Sequence, residues 1–288
     1  LSILLIAYLY FLFTGPGLID FENRRMDESI IVALINQGTL ITPSLERVLY
    51  VDSLIMIGLN ILLLALLMTL FKALNKRLTA RIYFILAFIF LAISLIRIPL
   101  YEVYLDLIEN ESYGRALLLN FFVNKNNPIF PFFSFALFGG ALGVILKDGD
   151  FLTLKKAVTM ISPILIIVGI IGYILTPPTM LDRAIDPTWY FIMVMQCGLF
   201  MALITLFIKL YDTKTEVSKG AKILLPVFTR FGTFSLTAFF FESLLSALLF
   251  KTLSLFIEIQ LSMAAAILYG VFMVFVWNGL LTFIQKHH

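Results

Sequence analysis

The sequence predicts an all-α fold: a polytopic bundle of membrane-spanning helices, and three observations carry that expectation. Hydrophobic residues make up 61% of the 288, against roughly 45–50% in an ordinary soluble domain. Charged residues make up only 14%, against roughly 25%. The apolar residues also gather into runs close to the length of about 20 residues that a helix needs to cross the hydrocarbon core. Eight such spans consume roughly 160 residues and leave short loops, so residues 1–288 read as a single transmembrane domain without a soluble globular one. The bilayer is therefore the first expected partner. The net charge of +3 is small and lies mostly on one side of the predicted spans, which reads as membrane topology; no nucleic acid is expected.

Taken in order, residues 1–13 are uncharged but short and stop at Gly15-Pro16-Gly17, so they read as the surviving end of a span. Residues 48–71 form a full span interrupted by Asp52 and Asn60. Residues 82–101 carry Arg97, while 128–146 and 157–175 are uncharged and 189–208 is uncharged but includes the amide Gln196. Residues 231–250 contain Glu242, and 261–284 contain Asn278. A ninth candidate, 29–42, is too short to span and includes Asn36 and Gln37, so a short or half-inserted helix is expected. The expectation is thus eight to nine spans.

Orientation follows from lysine and arginine in the short loops. Lys72, Lys76, Arg77 and Arg81, then Lys147, Lys155 and Lys156, then Lys209, Lys214, Lys219 and Lys222, and finally Lys286 fall on one face. The alternate face has Arg115 and Lys125 among Glu102, Asp106, Glu109 and Glu111, then only Arg183, then only Lys251. The first face, and with it the C-terminus, is predicted to be cytoplasmic. The single cysteine, Cys197, excludes an intrachain disulfide and a Cys-based zinc site, so no metal is expected. The only histidines are the terminal His287 and His288, which read as the stub of a tag and leave no internal imidazole for chemistry.

Four stretches, in order, carry a resemblance to a family. They are Val51-Asp52-Ser53-Leu54-Ile55-Met56-Ile57-Gly58-Leu59; Pro128-Ile129-Phe130-Pro131-Phe132-Phe133 followed by Leu137-Phe138-Gly139-Gly140-Ala141-Leu142-Gly143; Pro177-Pro178-Thr179 followed by a span with Gly198-Leu199; and Phe231-Gly232-Thr233-Phe234-Ser235-Leu236-Thr237-Ala238-Phe239. Together they resemble the transmembrane acyltransferase superfamily related to heparan-α-glucosaminide N-acetyltransferase and its bacterial membrane homologues. The family's opening helix with an Asp-x-x-Arg-Gly motif has no counterpart before Val48, so that helix is expected to be missing from this chain. Glu242 stands where relatives tend to have histidine or glutamine, and Phe239 where they tend to have tyrosine. The resemblance implies acetyl-CoA as co-substrate, entering from the cytoplasm, and a sugar or glycan acceptor approached from outside. It also implies a bacterial or archaeal cell membrane as the location. A homo-oligomer is a further expectation.

Ionisable groups within apolar spans are energetically expensive, and they mark either function or a paired structural contact. Here they are Asp52, Arg97 and Glu242. Glu242 is the acid predicted to sit nearest mid-membrane and is the first candidate for a catalytic base, with Asp52 the second. Asp52 also reads as a helix-start carboxylate, and it is expected to form a structural ion pair with Arg97, since their spans are consecutive and antiparallel. Arg230, directly before the span bearing Glu242, and Lys222 are the candidates for holding the phosphates of coenzyme A. Gly139 and Gly143 make a GxxxG pair read as close helix packing. Gln196 and Asn278 read as interhelical hydrogen-bonding amides. A transporter or lipid-handling protein without catalysis is the alternative, with Arg97 and Glu242 lining an aqueous path.

Overall fold

The computed structural model describes residues 2–20, 25–147, 151–177, 185–212, 219–256 and 263–287. In chain order they form α1 (Ser2–Phe13), a hairpin of β1 (Leu18–Asp20) and β2 (Arg25–Asp27), α2 (Ile30–Gln37), α3 (Leu45–Leu49), α4 (Ser53–Ala73) and α5 (Ala80–Ile93). There follow α6 (Arg97–Glu109), α7 (Tyr113–Val123), α8 (Ile129–Lys147), α9 (Phe151–Leu175) and α10 (Pro187–Phe207), then α11 (Lys219–Thr233), α12 (Ser235–Ser254) and α13 (Met263–His287). Among the described residues, seven helical segments are long and apolar enough to cross a membrane: Arg47–Ala73, Ala80–Glu109, Ile129–Lys147, Phe151–Leu175, Pro187–Asp212, Ser235–Ser254 and Ala264–His287. The chain is a helical integral membrane protein. These seven match the seven full-length runs of the sequence, while the first run forms only the 12-residue α1. The 29–42 candidate shrinks to the eight residues of α2, because Gly38 takes a left-handed φ of 75° and ends the helix on the Leu34 carbonyl. The second span outruns its prediction, reaching Glu109. Pro99 has no N–H to give the Leu95 carbonyl, and a 3-10 turn, Ser94–Ile96, stands just before the proline.

The chain divides into two compact units. The first comprises Leu1–Leu5 and Leu49–Lys214. Its core is built by α5, α8, α9 and α10, with Tyr83, Leu91, Phe133, Leu137, Phe138, Leu154, Leu165 and Met201 among the buried side chains. Regular helix in α8 follows Phe130, whose φ of −91° and ψ of 118° are extended. The tightest packing is between α9 and α10, where glycines let two backbones meet. A Cβ on Gly169 would lie 2.6 Å from the Met195 backbone nitrogen, and one on Gly198 would lie 2.7 Å from the Ser162 carbonyl oxygen. The Ser162 hydroxyl uses that proximity, donating to the Gly198 carbonyl at 2.6 Å. Without a hydrophobic drive between helices in lipid, such van der Waals contact and interhelical bonding are what hold a pair together.

The second unit comprises Ile6–Val48 and Thr215–His288. Its buried centre is Arg47, only 1% exposed. The guanidinium donates to the carbonyls of Phe11 at 2.7 Å, Pro16 at 3.0 Å and Asp27, contacts the Asp27 carboxylate at 3.5 Å, and lies 4.8 Å from the Phe11 ring centroid. One cation thus gathers the end of α1, the Gly-Pro-Gly turn and the hairpin. Tyr10 packs its ring against Phe239 and Phe240 of α12, and Lys251 at the far end of α12 donates to the Ile35 carbonyl of α2.

The anticipated GxxxG packing is corrected. A Cβ on Gly139 or Gly143 would meet nothing within 4 Å, whereas one on the intervening Gly140 would strike the Tyr83 ring at 2.7 Å. The close contact therefore belongs to Gly140, and it accommodates an aromatic ring in place of a second backbone. Adding a methyl group should separate these cases. Gly169→Ala forces the α9 and α10 backbones apart and is expected to destabilise the protein by about 1–3 kcal/mol, while Gly139→Ala is expected to be neutral; thermal unfolding in detergent checks both.

Candidate functional site

In the first unit, the ends of α4, α5 and α8 line an open cavity of about 610 Å³. Four cationic side chains line it: Lys72, Lys76, Arg77 and Lys147. Its remaining wall is mostly apolar, including Met68, Phe71, Leu78, Tyr83 and Val144. Gly143 also lines it, and since a Cβ there meets nothing, the glycine widens the cavity. Cations at the rim and an apolar wall match an amphiphile with phosphate at one end, because ammonium and guanidinium groups form charge-assisted hydrogen bonds to phosphate oxygens.

Local backbone chemistry puts the cations there. Helix α4 ends in a Schellman motif: the Lys76 N–H bonds the Phe71 carbonyl at 2.9 Å and the Asn75 N–H bonds the Lys72 carbonyl at 3.0 Å. Asn75 is the left-handed residue, with φ 52°, and asparagine is among the few residues that visit this conformation. The chain therefore turns sharply, and Lys76 and Arg77 lie beside Lys72 in place of continuing up a helix. Thr79 then caps α5, its hydroxyl accepting the Ile82 N–H at 3.4 Å. The Tyr83 ring, one turn into α5, rests on Gly140 and forms part of the wall.

At the opposite end of the same unit, Arg97 is 3% exposed. Its guanidinium donates to the carbonyls of Val123 at 3.2 Å, Asn124 at 2.7 Å and Lys125 at 3.3 Å, and lies 4.2 Å from the Trp189 ring centroid. Asp52 is not among these partners; its carboxylate caps α4, accepting the Leu54 N–H at 3.2 Å. The expected ion pair thus gives way to carbonyl ligation of the arginine. The reason lies in the turn after α7, whose carbonyls need donors. Asn120, Asn124 and Asn127 serve the same region, bonding the Leu49 and Val51 carbonyls. Asp186 caps α10 by accepting the Trp189 N–H at 2.7 Å, which fixes the ring that Arg97 faces.

The remaining predicted residues lie in the second unit. Glu242 is the eighth residue of α12, exposed on the unit's surface and roughly a third of the way along that helix. Arg230, in the last turn of α11, donates from Nε to Gln285 Oε1 at 2.9 Å and from Nη1 to Asn278 Oδ1 at 2.7 Å. Its guanidinium ties α11 to α13, and Asn278 is the interhelical amide expected of it. Lys222 belongs to α11, but its side chain lies outside the described residues. In the sequence the cytoplasmic cations read first as topology and second as holders of coenzyme A phosphates; the structure brings Lys72, Lys76, Arg77 and Lys147 to one cavity.

Because Asn75 sets the turn that gathers the cations, Asn75→Gly should keep both ligand binding and stability, whereas Asn75→Val should cost about 1–2 kcal/mol and shift the unfolding midpoint in detergent downward. Compared with protein-family models, with curated proteins and with solved structures, the chain finds no match.

Proposed function

We propose that this protein is a membrane-embedded acyltransferase that takes an acyl group, acetyl in the first instance, from cytoplasmic acyl-CoA and passes it to an extracytoplasmic sugar or glycan acceptor. The observation that carries the reading is the cation-lined cavity at the ends of α4, α5 and α8, which offers four positive side chains above an apolar wall. A donor bearing several phosphates and an acyl chain has that polarity. The resemblance of four ordered sequence stretches to transmembrane acyltransferases supports the same activity. Arg230, engaged with Gln285 and Asn278, is the weaker donor site, so the phosphates are assigned to Lys72, Lys76, Arg77 and Lys147.

In the proposed reaction the acceptor hydroxyl or amine attacks the thioester carbonyl. A C–O or C–N bond forms, the C–S bond breaks, and the acceptor proton passes to the departing thiolate. The lysine and arginine distribution favours a cytoplasmic location for the cavity end and the C-terminus, and the family resemblance favours the cell membrane of a bacterium or archaeon.

Two measurements test this. With full-length protein in liposomes and radiolabelled acetyl-CoA, Lys76→Ala/Arg77→Ala is expected to weaken donor binding by tenfold or more, one charged hydrogen bond being worth about 1.5–3 kcal/mol. Gly143→Leu should fill the cavity and block binding without lowering the unfolding midpoint. Undiminished turnover in both variants overturns the reading. For orientation, single cysteines replacing Lys76 and Glu109 in a Cys197→Ala background should label from opposite sides of sealed vesicles; labelling of both from the same side would overturn the topology.

A further inference from the structure

Independently of the donor reading, we infer that the groove between α9 and α10 is a binding site for an anionic diacyl phospholipid, recognised by its phosphate and by an ester carbonyl. The groove has a volume of about 240 Å³. Its polar lining runs in layers set by the helical repeat. Lys155 and Lys209 flank the mouth, Thr159 and Thr205 lie one turn further in, and the groove continues past Pro163 and Ala202.

Thr205 supplies the observation that points to a ligand. A helix threonine ordinarily satisfies its hydroxyl by donating to the carbonyl four residues back. Thr69, Thr159, Thr176, Thr233, Thr252 and Thr282 all do so here, at 2.5–2.9 Å. Thr205 does not. Its side chain is buried, at 9% exposure, and its Oγ1 has no hydrogen-bond partner. An unmet buried hydroxyl costs free energy until an acceptor reaches it. A phospholipid lying along the groove brings such acceptors, since it carries ester carbonyls just inside its phosphate.

The charge pattern selects an anionic headgroup. Lys155 and Lys209 approach from antiparallel helices, so a phosphate between them is bound from two sides. Beyond Lys155 the lining continues into a second groove of about 440 Å³ that it shares with Thr159 and that adds Lys156. One turn deeper than Lys156 the α9 surface is apolar, with Met160 about two-thirds exposed, as acyl chains require. Phosphate at the lysines therefore sets an ester carbonyl one turn deeper, at the level of the Thr205 hydroxyl.

Native mass spectrometry of the full-length protein, released from detergent with defined lipids, tests the site. Phosphatidylglycerol should be retained over phosphatidylcholine, and Lys155→Gln/Lys209→Gln should lower its retention about tenfold. Thr205→Val should lower retention of ester-linked phosphatidylglycerol about fivefold, and Thr205→Ser should restore it. The ether-linked lipid, which lacks the carbonyl, should bind wild type and Thr205→Val equally weakly. Competition by free glycerol phosphate at the same concentration should fail, since the chains contribute. Equal retention of phosphatidylcholine, unchanged retention in the lysine variant, or displacement by glycerol phosphate overturns the lipid assignment. Loss of ether and ester lipids alike in Thr205→Val overturns the carbonyl contact. The lipid-free unfolding midpoint of each variant should match wild type.

Discussion

Backbone carbonyls that lose their helical donors where the chain reverses at the edge of an apolar layer must find other donors, and in both units a buried arginine provides them. Arg97 serves three successive carbonyls, those of Val123, Asn124 and Lys125, in the turn after α7. Arg47 serves three carbonyls drawn from separate segments, those of Phe11, Pro16 and Asp27. A guanidinium suits this task because it is planar, permanently charged and carries five donors, and each arginine also places an aromatic ring beside its face. Partial negative charge on several carbonyls disperses the arginine's charge as well as a single carboxylate would. The carboxylates are then released for caps: Asp52 on α4 and Asp186 on α10. The helix starts and the turns are thus stabilised by one division of labour between acids and arginines.

How much of this the sequence disclosed depends on the range of each interaction. Span-length apolar runs are local signals, and all seven full-length runs correspond to helices long enough to cross a membrane. The capping role of Asp52 was also readable, since a carboxylate before an apolar run has few other local uses. Partner choice was not readable. Consecutive antiparallel spans made Asp52 the natural counter-charge for Arg97, but the turn that claims the arginine lies 26–28 residues further along the chain. The GxxxG pattern failed for a related reason: spacing puts Gly139 and Gly143 on one face without saying what approaches that face. Tyr83 approaches at Gly140, and Gly143 is left lining a cavity.

The basic loops illustrate one residue set answering two demands. Positive charge at loop ends orients helices during insertion, and it needs no particular geometry to do so. The Schellman turn at Asn75 and the cap at Thr79 nevertheless fix Lys76 and Arg77 relative to Lys72 and Lys147. Charges that only steer topology have no need of such fixed backbone. Arg230 shows the converse, since its charge lies where a phosphate contact was expected, yet its donors are taken up by Gln285 and Asn278.

The near-contact of α9 and α10 also bears on how the chain enters the bilayer. Alone, α9 would carry a polar burden into hydrocarbon: the Ser162 hydroxyl, and in addition the Thr159 carbonyl, which Pro163 deprives of its amide donor. Paired, the hydroxyl is already spent on the Gly198 carbonyl, and at Gly169 and Gly198 the two backbones meet directly. The two segments therefore have reason to leave the insertion machinery together as a helical hairpin, with the order of their assembly written into the glycines.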